Sequence, residues 1–348
     1  MLKARSLSDR YERYSLSQSP LAQRPTQRDL AVLLRETRDD LRRLAAYKEQ
    51  FIVRRQIETG TRVKKVRQLA YPQGRLRAVH ELLKFHLNKV KQPDYLFSPR
   101  KGKSQRDNAV QHLGQDQFLS FDLKQFYPST TDNMVQSWLI YELGMYPDVA
   151  RLITRLVTID GVVSFGSPLT PVLCALIHRK MFDRIADLCS SRKLRLSVWV
   201  DDVVISGRFV PGELLVSIRD VIREHGLMSH KIKYSCGNRP VFITGIGVVG
   251  RNLISPNSLN ICIRDLFSEY HNALTTEEKE DCAQRLLSKL GTVRFIAGSD
   301  SIRGRKAADQ MNTIKQQLLV LREIELQSSR NAVRIEQSGP DDQPPFDL

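Results

Sequence analysis

The stretch LSVWVDDVVISG, residues 196–207, places two adjacent carboxylates in the middle of an apolar run. Strand interiors disfavour aspartate, and a buried carboxylate without a partner is costly. The simplest interpretation is a β-hairpin, in which a strand leads into a tight turn at Asp201 and Asp202 and a second strand follows. Aspartate is common in turns, so turn formation alone also explains the pair without any chemistry.

A second apolar run ends in the same way. The segment FLSFDLKQFYP, residues 118–128, predicts a strand that ends near Asp122 and a turn at Pro128. Three carboxylates at the ends of neighbouring strands would hold two divalent cations roughly 4 Å apart, which stabilises the attacking and leaving oxygens of phosphoryl transfer. The two runs together therefore predict a metal-dependent active site, with a simple turn as the alternative.

The rest of the chain reads as strands alternating with helices, followed by a helical region, and this order predicts an α+β fold. The sequence predicts helix over 1–50, a basic segment with turns over 51–77, one helix over 167–190, a strand over 240–249, helices over 258–327 and a disordered tail over 328–348.

Charge gives the first indication of a partner. The 348 residues carry a net charge of +16, and residues 1–110 hold 26 Lys and Arg against 11 Asp and Glu, a balance of +15. A basic lobe on an otherwise balanced chain favours a nucleic-acid partner over a merely solvated surface. Five scattered cysteines are typical of reduced thiols in the cytoplasm. No apolar run is long enough for a transmembrane helix, so no membrane partner is expected.

Seven segments, in one order, resemble motifs of the bacterial retron-type reverse transcriptases, a group that includes anti-phage defence enzymes. The resemblance runs from about residue 51 to residue 252. The segments are RQLAYP (67–72), NAVQH (108–112), FDLKQFYPS (121–129), FGSPLTPVLCALI (165–177), WVDD (199–202), GLMSHKIK (226–233) and ITGIGVV (243–249).

This resemblance implies a right-hand polymerase fold. It implies a helical N-terminal extension over 1–50, fingers and palm over 51–250, a helical thumb over 251–327 and a disordered tail over 328–348. The implied activity is RNA-directed DNA synthesis from dNTPs on a structured non-coding RNA. The implied setting is a cytoplasmic anti-phage system, in which an effector protein can accompany the enzyme.

The resemblance also assigns roles to residues. Asp122, Asp201 and Asp202 would hold two Mg²⁺ ions, with Mn²⁺ as an alternative metal. Around the nucleotide, Arg67 would grip the triphosphate, Tyr127 would exclude a 2′-hydroxyl, Phe165 and Gly166 would lie beside the base pair, and Lys233 would neutralise the pyrophosphate. The basic side chains expected to contact nucleic acid are Arg54, Arg55, Arg75, Arg77, Arg303, Arg305 and Lys306.

Three features depart from the family's pattern or stand outside its chemistry. The residues Ser164-Phe165-Gly166 stand where the family has Pro-Gln-Gly, and Trp199 replaces the tyrosine of the catalytic turn. Because a phenyl ring cannot make the hydrogen bonds of glutamine, a template-independent or repeat-synthesising DNA polymerase is one alternative. A non-catalytic RNA-binding scaffold is another, although the three retained carboxylates disfavour it. Asn108 and His112 are expected to hydrogen-bond within the fold.

Overall fold

The structure is a computed structural model that describes residues 11–59 and 65–337. Its α-helices are α1 (Gln27–Leu33), α2 (Arg38–Ala46), α3 (Gly74–Leu87), α4 (Gln105–Val110), α5 (Asp132–Tyr141), α6 (Pro147–Val157), α7 (Thr170–Ile177), α8 (Arg179–Ser190), α9 (Gly212–Glu224), α10 (Asn257–Asn272), α11 (Thr276–Ala297) and α12 (Ile302–Gln337). Its strands are β1 (Ile52–Thr59), β2 (Lys65–Pro72), β3 (Leu96–Ser98), β4 (Gln117–Leu123), β5 (Arg195–Trp199), β6 (Asp202–Gly207), β7 (Ser229–Cys236), β8 (Val241–Ile243), β9 (Ile246–Val249) and β10 (Asn252–Ile254).

A five-stranded sheet of order β3-β5-β6-β4-β7 contains both of the apolar runs discussed above. Strands β5 and β6 form the predicted hairpin, and β4 pairs antiparallel with β6 on one side and β7 on the other. Successive residues of β4 point to opposite faces of the sheet, and Phe118 and Leu119 are both fully buried. Strand β4 is therefore packed on both faces, which fixes the strand that carries Asp122.

A separate two-stranded hairpin forms where the sequence predicts only a basic segment with turns. Strands β1 and β2 pair antiparallel from Ile52 opposite Pro72 to Thr59 opposite Lys65. Among its described side chains only Ile52 and Pro72 are buried, both at one end of the hairpin, and the alternating apolar pattern of a half-buried strand is missing from the sequence.

Two other elements are broken where the sequence predicts continuity. The helix predicted over 167–190 is divided at His178, whose side chain is buried and hydrogen-bonded to the Thr130 hydroxyl at 2.9 Å. The strand predicted over 240–249 is divided at Thr244 and Gly245, whose φ angles are +46° and +84°. The helix predicted over 1–50 is found in part, as α1, α2 and short 3₁₀ turns, and residues 1–10 lie outside the described range.

The chain divides into two compact units. The first is Met1–Thr244 with Val248–Asn252, and the second is Gly245–Gly247 with Leu253–Leu348. The second unit holds α10, α11 and α12 around an apolar core that includes Leu286 and Ile314. Helix α12 extends ten residues into the stretch predicted to be a disordered tail, and residues 338–348 lie outside the described part. None of the described helices combines the length and apolar character that crossing a membrane requires.

Candidate active site

The three aspartates singled out in the sequence meet at one end of the five-stranded sheet. Asp122, the penultimate residue of β4, lies directly opposite Asp202, the first residue of β6. The backbone N–H of Leu123 donates to the carbonyl oxygen of Asp201 at 3.0 Å, which ties the end of β4 to the hairpin turn. Sheet pairing alone therefore brings together carboxylates that are about 80 residues apart in the chain.

The hairpin turn that presents Asp201 has an unusual backbone. Trp199 pairs with Asp202, so Val200 and Asp201 form a two-residue turn. Val200 has a φ of +60°, a left-handed conformation that β-branched residues rarely adopt and that costs about 1–3 kcal/mol. Its side chain packs against the main apolar core, which offsets part of this cost.

The electrostatics confirm that the carboxylates crowd one another. The pKa of Asp202 is raised to about 6, first because the surrounding protein displaces water from the carboxylate, and then because Asp201 and Asp122 add negative charge. Lys231 acts in the opposite direction. By its accessible surface Asp202 is nevertheless exposed, so water screens part of this repulsion.

Two basic side chains of β7 lie beside Asp122. The ammonium of Lys231 contacts Asp122 Oδ2, and His230 Nδ1 lies 3.2 Å from Asp122 Oδ1. The Asp122 side chain is only 14% exposed, and its buried Oδ1 accepts no hydrogen bond. The contact with Asp122 raises the pKa of Lys231. The sequence resemblance singled out Lys233, which lies two residues further along β7 and is exposed.

The donor set at this edge fits a divalent cation in its chemistry. Carboxylate oxygens are the ligands that Mg²⁺ prefers, and Asp122 Oδ1 is a buried acceptor without a hydrogen bond. Across residues 11–59 and 65–337, no three His, Cys, Asp or Glu side chains are gathered closely enough to chelate an ion as they stand. An ion held by these aspartates would therefore need their side chains to rotate from the arrangement in the structure.

An aromatic pair lies beside the aspartates. The Tyr127 ring packs edge-to-face on the Phe165 ring, with centroids 5.2 Å apart and planes 70° apart. Burial, followed by the charges of Cys174 and Asp201, raises the pKa of the Tyr127 hydroxyl above its ordinary value, so the phenol stays neutral. A cavity of about 400 Å³ opens next to Phe165, between the β1–β2 hairpin and residues 159–165. Phe165 thus lines this cavity with one part of its surface and packs on the Tyr127 ring with another.

Glycine is required at position 166 for two reasons. Gly166 has a φ of +92°, and a Cβ built there would lie 2.9 Å from the Cβ of Tyr71. We predict that Gly166→Ala lowers the free energy of unfolding by roughly 1–3 kcal/mol, measured by urea denaturation, because both the backbone and Tyr71 must shift. Gly212→Ala is the matched control, since nothing lies within 4 Å of its Cβ position, and it should be neutral. Equal effects of the two substitutions would contradict this explanation.

The predicted basic contacts are found in different places. Arg54 and Arg55 line the cavity, but Arg54 is paired with Glu49 at 2.8 Å and Asp160 at 3.0 Å. Arg75 forms an ion pair with Glu36 in the N-terminal helical region. The backbone of Arg67 belongs to β2, whereas its side chain lies outside what the structure describes. Arg77 in the first unit and Arg303, Arg305 and Lys306 in the second are exposed, as are Arg54, Arg55 and Arg75.

Curated proteins of related sequence identify what this arrangement resembles. Retron Ec86 reverse transcriptase of Escherichia coli is 28% identical over 182 residues, which are 51% of this chain and 56% of that protein. The chain is similar to the retron reverse transcriptases. Retron Se72 reverse transcriptase of Salmonella heidelberg is 27% identical over 43% of the chain, and retron Mx65 reverse transcriptase of Myxococcus xanthus is 27% identical over 41%.

The similarity to retron reverse transcriptases is partial. The matched segments span about half the length of Ec86 reverse transcriptase and 40% and 38% of the Se72 and Mx65 enzymes. No protein-family profile matches the chain.

The segment that resembles the retron Asn-Ala-x-x-His signature has a structural role, as expected. His112 is fully buried, with Nδ1 2.6 Å from the Ser206 hydroxyl and Nε2 2.7 Å from the Ser197 hydroxyl. Since Ser197 belongs to β5 and Ser206 to β6, the imidazole links the two strands of the hairpin whose turn contains Asp201. Asn108 is also buried and donates to Thr244 at 3.5 Å.

Sequence reasoning missed a second buried histidine that bears on the site. His80 Nδ1 lies 2.7 Å from the Ser167 hydroxyl, and its Nε2 lies 2.9 Å from the Leu156 carbonyl oxygen. Ser167 also accepts a hydrogen bond from the Leu169 N–H, and it follows Phe165 and Gly166. His80 therefore fixes the loop that carries Phe165. No sequence motif marked it, because its partners come from residues about 80 positions away.

Buried neutral histidines make stability depend on pH. Burial lowers the pKa of His80 to about 4, of His112 to about 3 and of His178 to about 4. Each is neutral in the folded protein but protonates near its ordinary pKa of about 6.5 when unfolded, so stability is lost as the pH falls below 6.5. Between pH 7 and pH 5 we expect a loss of about 2 kcal/mol per histidine in urea denaturation. His112→Gln should remove about a third of this pH dependence, and an unchanged dependence would contradict the assignment.

Proposed function

We propose that this chain is an RNA-directed DNA polymerase of retron type, which copies a partner non-coding RNA into DNA. The observation that carries the proposal is the meeting of Asp122, Asp201 and Asp202 at one end of the sheet. The similarity to three retron reverse transcriptases supports it. In this proposal the five-stranded sheet is the palm, the β1–β2 hairpin belongs to the fingers and α10–α12 form the thumb.

The aspartates would hold two Mg²⁺ ions, with Mn²⁺ as an alternative. Bound there, the ions would stabilise charge on the attacking 3′-hydroxyl, the transferred phosphate and the leaving pyrophosphate. Asp122 and Asp201 would supply the principal ligands, and Asp202 would support them. Arg67 would bind the triphosphate through its guanidinium, and the exposed Lys233 would neutralise the pyrophosphate.

The nucleotide's sugar would lie against the ring of Tyr127. A ring at this position leaves no room for a 2′-hydroxyl and so selects dNTPs over rNTPs. Phe165 packs on that ring, and Gly166 permits the approach of Tyr71. The cavity lined by Arg55 and Phe165 would accept the template side of the nascent pair.

The RNA partner would be recognised through the basic N-terminal third. Residues 1–110 carry an excess of 15 positive charges, which favours phosphate contacts whose strength falls steeply with salt. Arg77, Arg303, Arg305 and Lys306, which are all exposed, are candidates for further contacts. We further propose that the enzyme acts in the cytoplasm in anti-phage defence, with an associated effector protein.

One observation favours a second candidate function. Phe165 stands where related enzymes have glutamine. Because a phenyl ring has no polar atom, it cannot hydrogen-bond a template base, and it packs on the Tyr127 ring instead. A polymerase that makes repetitive or untemplated DNA is therefore the alternative.

Sequencing of the DNA product separates these functions. The full chain, purified with its co-expressed RNA, is supplied with MgCl₂ and dNTPs, and Asp201→Asn is run beside it as the inactive control. DNA complementary to the bound RNA would establish the retron-type activity. Repetitive DNA unrelated to that RNA would establish the alternative. RNA binding without any DNA synthesis would overturn both in favour of a non-catalytic scaffold.

A further inference from the structure

We propose that Lys231 is a built-in counter-cation for the aspartates, which occupies Asp122 until a divalent cation displaces it. The proposal rests on the proposed metal site at Asp122, Asp201 and Asp202. It assigns to Lys231 a positioning role that the sequence motif, which ends at Lys233, does not indicate. Its consequence is that lysine and metal compete for the same carboxylate.

The need for a counter-cation follows from burial and charge. The Asp122 side chain is 14% exposed and lies in a strand with neighbours on both sides. Asp201 and Asp202 add like charges at the same end of the sheet. An opposite charge in contact with a mostly buried carboxylate offsets the cost of its burial and the repulsion from like charges nearby. The Lys231 ammonium, in contact with Oδ2, supplies that charge, and the other oxygen faces His230.

The backbone of β7 is shaped to aim Lys231 at Asp122. Ser120 pairs with Lys233 and Asp122 pairs with His230, so β7 has one more residue than β4 between these two pairs. The extra residue forms a β-bulge, and Lys231 within it has a φ of +49°. A bulge re-aims a side chain, and a left-handed lysine persists only where the surroundings hold it. The ladder pairs on either side of the bulge hold the backbone of Lys231, and the ion pair with Asp122 holds its side chain.

The two partners differ in how freely they can separate. Lys231 is 63% exposed on a long flexible stem, whereas Asp122 is fixed by both ladders of β4. When a divalent cation binds, Lys231 is the group that leaves, and the end of β4 stays in place. The site is therefore kept assembled without metal, and it binds metal more weakly than three uncompensated aspartates would.

Metal binding by the full chain tests this directly. Mn²⁺ affinity is measured by calorimetry or by the decrease of the free-ion electron paramagnetic resonance signal. We expect Lys231→Met to bind Mn²⁺ about tenfold more tightly than the unsubstituted chain, or about 1.4 kcal/mol. Lys233→Met is the matched control, because it removes the same charge two residues away, and its Mn²⁺ affinity should change less than threefold.

Thermal denaturation provides a second readout. In EDTA the Lys231→Met protein should melt several degrees below the unsubstituted chain, because the aspartates lose their counter-cation. Saturating Mn²⁺ should remove that difference. Lys231→Arg keeps the charge, so its melting temperature should match that of the unsubstituted chain in both solutions. This variant replaces Lys231→Met in the test if Lys231→Met does not fold.

The outcomes separate this inference from the proposed function. Equal or weaker Mn²⁺ binding by Lys231→Met, with binding abolished by Asp201→Asn, would overturn the counter-cation role alone. Mn²⁺ binding that Asp201→Asn leaves unchanged would place the ion elsewhere and overturn both. If Lys231→Met and Lys233→Met both bound Mn²⁺ more tightly to the same extent, the change would be due to the lower positive charge of the surface in general. That result would also overturn the inference.

Discussion

Asp201→Asn should lower the rate of DNA synthesis by roughly a thousandfold or more while the protein remains folded. Asparagine keeps the size of the side chain but loses the negative charge, so one principal metal ligand is replaced by a weak one. The turn backbone is held by pairing of Trp199 with Asp202 and by the bond from Leu123, neither of which uses the Asp201 side chain. Primer extension under single-turnover conditions measures the rate, and circular dichroism checks the fold.

Asp116→Asn is the control for this substitution. Asp116 immediately precedes β4 and is exposed, roughly 20 Å along the strand from Asp122. The Asp116→Asn substitution removes the same charge near the opposite end of β4 from the three aspartates, and it should change the rate less than threefold. If Asp201→Asn were as active as Asp116→Asn, the assignment of the aspartates to a metal site would be wrong.

Tyr127→Ala should lower the preference for dNTPs over rNTPs about 100-fold, which corresponds to about 2.7 kcal/mol of transition-state discrimination. In the proposed function the ring would exclude the 2′-hydroxyl by occupying its space, and alanine would leave that space open. The measurement is the ratio of kcat/KM for a dNTP and the matching rNTP. We expect the change to arise from rNTP use, with dNTP use reduced much less.

Two further variants show which part of the aromatic pair matters. Tyr127→Phe keeps the ring and should retain the discrimination. Phe165→Ala removes the edge-to-face partner at 5.2 Å, worth about 0.5–1.5 kcal/mol, and should cost roughly two- to tenfold in discrimination as the Tyr127 ring loses its fixed orientation. Loss of discrimination in Tyr127→Phe would show that the hydroxyl rather than the ring selects the sugar.

The aspartate site was predictable because its signal is local. Two aspartates inside an apolar run predict a hairpin turn, and a third at the end of another apolar run predicts a strand end. Pairing of β4 with β6 then follows from the fact that both strands are apolar and must share a sheet. The structure confirms this hairpin and the strand, with Asp122 opposite Asp202.

The features that sequence reasoning missed depend on register and on distant partners. A bulge of one residue in β7 decides whether Lys231 or Lys233 reaches Asp122, and no pattern in the sequence predicts that bulge. The break at His178 depends on a hydrogen bond to Thr130, and the engagement of Arg54 depends on Asp160, 106 residues away. Few of the side chains that the structure describes in the β1–β2 hairpin are buried, and its strands carry no apolar alternation.

The left-handed backbone of Val200 lowers the stability of the protein but limits the orientations of the Asp201 carboxylate. Two-residue hairpin turns usually have Asn or Gly at positions with a positive φ, and Val200→Gly would relieve the backbone strain. The same change would free the turn to sample several orientations of the carboxylate that follows it. Selection for thermal stability alone would therefore favour glycine at position 200, whereas selection for catalytic rate would favour valine.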